Sequence, residues 1–268
     1  MELIDTHCHL DVMEFDPDRD SVLGRARAVG VVGLVIPAIH RAGWPWLLEY
    51  CASGPGLYPA LGLHPVYLDE HGEDDIRALE SAIATRRTLA VGEIGLDFFV
   101  RDLDRDRQQA LFEGQLQVAR AANLPVLLHV RRAHEPVLAT LRRIRVPGGI
   151  AHAFSGGIEE ARRYIDLGFK LGFGGMLTFE RSTKLRRLAA ELPVEALVLE
   201  TDAPDLTVAS HRGERNSPEY LPDVLASLAE VRQADPGELA AITTANARAV
   251  LGISASVLPA NEANADAP

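Results

Sequence analysis

Glu2-Leu3-Ile4-Asp5-Thr6-His7-Cys8-His9 opens with a short apolar run and ends with two histidines spaced by one residue. In an extended strand, residues i and i+2 face the same way, so His7 and His9 project together while Cys8 points away. Two imidazoles converging at the C-terminal end of a barrel strand suit a divalent cation. The same pattern also closes ordinary strands, so the motif alone leaves both readings open.

The pattern repeats outward from that run. Short β-branched or apolar stretches fall at Glu2–Asp5, Val31–Pro37, Leu57–Gly62, Leu89–Ile94, Val126–His129, Gly149–Ala153, Phe169–Phe173 and Ala196–Glu200. Amphipathic stretches separate them. One has acidic Asp74 and Asp75 at its start and Ile76, Leu79 and Ile83 on one face; another runs from Asp104 to Asn123 and is stopped by Pro125. Gly30 and Gly168 stand where helix C-caps belong, directly before the next strand. Strict βα alternation predicts a parallel sheet, and eight units predict closure into a single-domain (β/α)8 TIM barrel over residues 1–253. The runner-up, an open doubly wound sheet, lacks the Gly-x-Gly-x-x-Gly expected after its first strand. Residues 254–268 are small and polar and read as a disordered tail.

The 268 residues are 47% hydrophobic with a net charge of −11, which describes a globular chain with enough apolar surface for a full core. No run approaches the roughly 18 apolar residues of a membrane span. The acidic N-terminus enters the fold at once, so it is not read as a signal peptide, and a cytoplasmic location is expected. Cys8 and Cys51 are expected to be free buried thiols rather than a disulfide. The acidic balance argues against a general nucleic-acid coating protein but permits local grip on a polyanion.

Further metal-type side chains end other runs: Glu93, His129, His152 and Asp202. Singly, a strand-end His reads as a hydrogen-bonded core residue and a strand-end Asp as a helix N-cap. Six such groups with His7 and His9, all at one rim, read as one centre, because barrel active sites draw on several strand ends at that face.

These segments resemble the TatD family of metal-dependent hydrolases, within the amidohydrolase-like barrel group. The resemblance rests on Asp5–Leu10, Gly62-Leu63-His64-Pro65, Gly92–Asp97, His129-Val130-Arg131, His152–Gly156, Glu200–Pro204 and Arg215–Pro218, in order from residue 3 to about residue 252. This sequence has Phe98-Phe99 where the family often carries a Tyr, and Arg132 where an acidic residue is common, so its rim is more basic.

The resemblance implies two divalent metals, with His7, His9 and Asp202 on one, His129 and His152 on the other, and Glu93 bridging. One metal seldom needs six protein ligands when a position must stay open for water. Four imidazoles with two carboxylates lean toward Zn or Mn over Mg. Glu93 and Asp202 are the expected catalytic carboxylates, Asp202 as the proton acceptor for water. The resemblance casts His64 as a substrate contact, with capping ahead of Pro65 as its structural alternative. Arg131 joins it, with Arg132, Arg181, Lys184, Arg186, Arg187, Arg212 and Arg215 as further basic residues in the rim loops. For Arg186 and Arg187 simple solvation is the expected role. Trp44 and Trp46 either stack on a base or pack beneath a loop.

A centre that stays cationic after two carboxylates suits a phosphodiester better than a neutral amide. The expected activity is therefore that of a metal-dependent deoxyribonuclease or phosphodiesterase, exonuclease-like, with DNA as substrate and a monomer favoured. The alternative is ester or amide hydrolysis, such as deacylation of an aminoacylated nucleic acid. A binding protein that merely kept the barrel is disfavoured by the complete ligand set.

Overall fold

Buried on both faces, the strands of this chain are nearly continuous apolar runs, as a parallel sheet covered by helices requires. The structure is a computed structural model describing residues 1–85 and 88–254. Beyond Ser254, the expected tail lies outside the described residues. The strands are β1 (Leu3–Asp5), β2 (Val31–Pro37), β3 (Leu57–Leu61), β4 (Ala90–Asp97), β5 (Val126–Arg131), β6 (Gly149–Ala151), β7 (Phe169–Phe173) and β8 (Leu197–Leu199). They pair in chain order, all parallel. Between β8 and β1, the Thr6 N–H donates to the Leu199 carbonyl at 3.1 Å and the Asp202 N–H to the His7 carbonyl at 2.8 Å. The result is a nearly closed TIM barrel, as the alternation predicts.

Helices α1 (Arg19–Ala28), α2 (Trp44–Ala52), α3 (Asp75–Thr85), α4 (Arg105–Ala122), α5 (His134–Arg143), α6 (Ile158–Asp166), α7 (Thr183–Glu191), α8 (Leu221–Arg232) and α9 (Pro236–Leu251) complete the layer. Asp104 caps α4 by accepting from the Asp106 and Arg107 N–H groups, and Asn123 ends it in the left-handed region at φ +52°. Gly30 and Gly168, at φ +96° and +86°, occupy the left-handed positions their placement predicts. Among the described residues, no helix is long and apolar enough to cross a membrane.

Inside the barrel, Ile4, Val35, Ala60, Ala90, Leu127, Ile150 and Val198 pack with Ala247, Leu251 and Ile253 at the C-terminal end of the chain. Helix α9 is pinned there by Asn246, whose side-chain amide donates to the Val194 and Leu197 carbonyls, both at 2.8 Å. This apolar plug lies at the N-terminal ends of strands such as β8, which leaves the opposite mouth for polar chemistry.

Strand limits differ from the sequence reading at the ends that matter. β4 and β5 run on to Asp97 and Arg131, β6 and β8 stop short at Ala151 and Leu199, and β1 ends at Asp5 as its run predicts. His7, His9, His152 and Asp202 therefore lie just beyond their strands. There the chain bends: Ala153 and Asp202 adopt φ +42° and +59°.

Candidate metal centre

Glu93 sits in mid-β4, 2% exposed, with histidines converging on both carboxylate oxygens. Its Oε2 lies 3.2 Å from His7 Nε2 and 3.3 Å from His9 Nε2. Its Oε1 lies 2.8 Å from His152 Nε2, 3.0 Å from His129 Nδ1 and 3.4 Å from His64 Nε2. Asp202 Oδ1 completes the first group, 3.7 Å from the Nε2 atoms of both His7 and His9. Every sequence-predicted ligand is thus gathered around one carboxylate. Cys8, between the two histidines, is fully buried in the apolar core, away from them as the alternation predicts, although all three residues lie beyond β1.

The donor set fits cations better than it fits hydrogen bonds. Three imidazole nitrogens face the single oxygen Oε1, which has only two lone pairs. His7 Nε2 and His9 Nε2 are 3.3 Å apart, and a proton on either would point at a ring already crowded by Glu93. In the cluster, His7 Nδ1 and His152 Nδ1 are buried and have no hydrogen-bond partner among the described residues. Among the described residues, three sets of side chains could each hold an ion: His7, Glu93 and His152; His7, His9 and Asp202; and His64, Glu93 and His129.

Glu93 also makes the pocket attractive to positive charge. Burial disfavours charge on every imidazole here, yet Glu93 raises His9 to about 9 and His152 to about 10. Burial prevails at His64, which falls to about 4. His64 Nδ1 accepts from the Val66 N–H at 3.2 Å, so the neutral ring carries its proton on Nε2, facing the centre. The capping and the substrate-facing readings of His64 are therefore compatible.

Buried residues that the sequence reading did not assign hold the ligands in place. Asp5 accepts from the Thr201 hydroxyl at 2.6 Å and the Thr201 N–H at 3.0 Å. The Asn216 amide donates to the carbonyls of Thr201 and Asp205, on either side of Asp202. Glu200 accepts from the Ala153 N–H, next to His152, and its other oxygen occupies space that a Cβ at residue 172 would enter at 2.1 Å. Glycine at 172 is required for that carboxylate to fit. Asp97 lies 3.0 Å from His129 Nε2. Asp97 and Glu200 both stand inside the motif segments quoted above, and their strand-end positions were the available signal.

A cavity of about 850 Å³ opens over the cluster, lined among others by His9, His64, Arg131, Arg181, Lys184 and Asp202. The remaining basic residues separate from it. Arg215 forms a bidentate pair with Asp18 at 2.9 and 2.8 Å and lies over the Phe15 ring, so it clamps the fold and does not serve the rim. Arg186 donates to the Leu177 carbonyl and pairs with Glu230. Arg132 is exposed above Phe99. Trp44 is buried and donates to the Gly62 carbonyl, while Trp46 stacks on Tyr50; neither lines the cavity. A larger groove of about 1250 Å³ runs along α2 and the start of β3, but no metal-type cluster of the described residues belongs to it. Donor chemistry, not volume, marks the site.

A parallel barrel with a carboxylate-centred histidine cluster at its mouth defines the class of barrel metal-dependent hydrolases. The family described as TatD related DNase matches residues 4–252. An uncharacterized metal-dependent hydrolase of Escherichia coli K12, YjjV, is 40% identical over 240 residues, covering 88% of this chain and 93% of the relative. The crystal structure of that TatD homologue superposes with a TM-score of 0.91 at 38% identity, covering 94% and 98% of the two chains. A Klebsiella pneumoniae protein named 3'-5' ssDNA/RNA exonuclease TatD is 34% identical over 262 residues, covering 94% and 98%. The chain belongs to the TatD family of metal-dependent hydrolases.

Proposed function

We propose that this chain hydrolyses phosphodiester bonds at DNA ends, with two divalent ions held by His7, His9 and Asp202 on one side of Glu93 and by His129 and His152 on the other. The observation that carries the proposal is the division of Glu93: Oε2 faces His7 and His9, Oε1 faces His129 and His152. Divalent ions bound there would lower the pKa of a water and offset the charge of the phosphate. Four imidazoles with two carboxylates favour Zn or Mn over Mg.

Asp202, whose Oδ1 faces His7 and His9, would take the proton of the attacking water and return it to the leaving oxygen. Oxygen from water then joins phosphorus as the ester P–O bond breaks. His64, which lines the cavity and keeps its proton on Nε2, would donate to a phosphate oxygen. Arg131, half-exposed at the cavity wall, adds a fixed cation for the same group. Arg181 and Lys184 extend that positive wall. The site is assembled from one chain, and a monomer suffices.

The name of the Klebsiella relative supports this choice of substrate over a carboxylic ester. Purified enzyme is to be incubated with end-labelled single-stranded DNA and, separately, with an aminoacyl ester, each with and without chelator. Chelator-sensitive release of mononucleotides is the expected result. Ester hydrolysis without DNA cleavage would replace the nuclease reading by the deacylase one.

A further inference from the structure

We infer that Asp97 is a positioning residue that fixes the proton of His129 on Nε2 and leaves its Nδ1 lone pair for a metal. The inference rests on the proposed role of His129 as a ligand but not on the identity of the substrate.

The His129 ring stands between two buried carboxylates. Its Nδ1 is 3.0 Å from Glu93 Oε1, and its Nε2 is 3.0 Å from Asp97 Oδ2. Only one of these nitrogens can face the centre, so the outer carboxylate decides which carries the proton.

Asp97 is fully buried at the last position of β4 and cannot turn. Its Oδ1 accepts from the Phe99 N–H at 2.8 Å and the Val100 N–H at 3.0 Å. Its own backbone is held from both sides by Gln108, whose Oε1 accepts from the Asp97 N–H at 2.8 Å and whose amide donates to the Asp97 carbonyl at 3.0 Å. Oδ2 is thereby aimed at His129, with Arg131 Nη1 as its other neighbour at 3.6 Å. The close approach of β4 to β5 at this point depends on Gly95, because a Cβ there would lie 2.0 Å from the His129 carbonyl oxygen.

Oδ1 is taken up by the Phe99 and Val100 N–H groups, so Oδ2 is the acceptor offered to His129, and the proton in the shared bond belongs to His129 Nε2.

Asp97→Asn separates this role from a merely structural one. The two N–H groups of Phe99 and Val100 require an oxygen at Oδ1, so the new NH2 group must take the place of Oδ2. Two donors would then face each other, and His129 would move its proton to Nδ1, toward the metal position. The test combines calorimetric zinc binding with side-chain 15N correlation spectra of His129 in the chelator-stripped chain at alkaline pH. The unsubstituted protein should show a neutral His129 protonated on Nε2, a reading that needs no variant to fold. Asp97→Asn should reverse it to Nδ1 and weaken zinc at one site by about 10–100-fold, as loss of a carboxylate behind a histidine ligand does. An Nδ1–H tautomer in the unsubstituted protein, or unchanged zinc affinity in a folded Asp97→Asn, would overturn the assignment. Zinc alone is the probe, so a failed DNA assay leaves this result standing and a failed zinc result leaves the substrate question open to the DNA assay.

Discussion

The Asp5 carboxylate accepts both the hydroxyl and the backbone N–H of Thr201, at 2.6 and 3.0 Å, across the seam between the first strand and the last. Asp5 also accepts from the His7 N–H at 3.2 Å, so one buried carboxylate orients the chain leading to His7 and His9 and the chain leading to Asp202. Residues 196 positions apart meet in a fixed geometry through it.

Thr201→Val keeps the shape of that side chain and removes its hydroxyl. An oxygen of Asp5 would be left buried without its shortest partner, at a cost of about 1–3 kcal/mol. For a domain of this size that is a fall in Tm of roughly 2–12 °C. Thermal melting should show this loss, and DNA hydrolysis should fall with it, because Asp202 follows Thr201 directly. Unchanged melting and activity would mean the seam does not position the site.

Metal removal should destabilise the chain as well as silence it. The histidines and Glu93 crowd one another without cations, and ions present at 100 times their dissociation constant contribute about 2.7 kcal/mol. Chelation should therefore lower Tm by roughly 5–11 °C for each ion lost, and added Zn or Mn should restore it. A Tm indifferent to chelator would argue that no ion is held in the cluster.

Arg131→Met tests the cavity wall. Losing one phosphate contact to a single strand should reduce the slope of log K against log salt by about 0.7. Binding of a single-stranded oligonucleotide at several salt concentrations measures this directly. The same slope in variant and wild type would remove Arg131 from the substrate contacts.

The barrel was legible because buried parallel strands leave uninterrupted apolar runs, and Val31–Pro37 and Phe169–Phe173 emerge with the limits their residues suggest. The ligands were legible for a related reason: a mouth built from strand ends places its histidines and carboxylates at recurring positions after those runs. What escaped was pairing in space. Nothing in local spacing says that Arg215 reaches back to Asp18, although both sit among charged residues of ordinary appearance. Nor does sequence distinguish Asp97 from a helix cap, since its Oδ1 does accept backbone N–H groups while Oδ2 faces His129. Trp44 was ambiguous for the same cause, and its indole N–H proves to be used beneath a loop, on the Gly62 carbonyl.

The measurement that bears most directly on the central claim is metal stoichiometry by elemental analysis, made on wild type and Glu93→Ala after reconstitution with zinc and paired with DNA hydrolysis by the same samples. Wild type should hold two equivalents and cleave. Glu93→Ala, having lost the one carboxylate that faces both histidine groups, should hold at most one and lose activity by more than the about 100-fold expected for a residue that only supports a ligand. A Glu93→Ala variant that keeps two equivalents and full activity would contradict the carboxylate-centred metal pair.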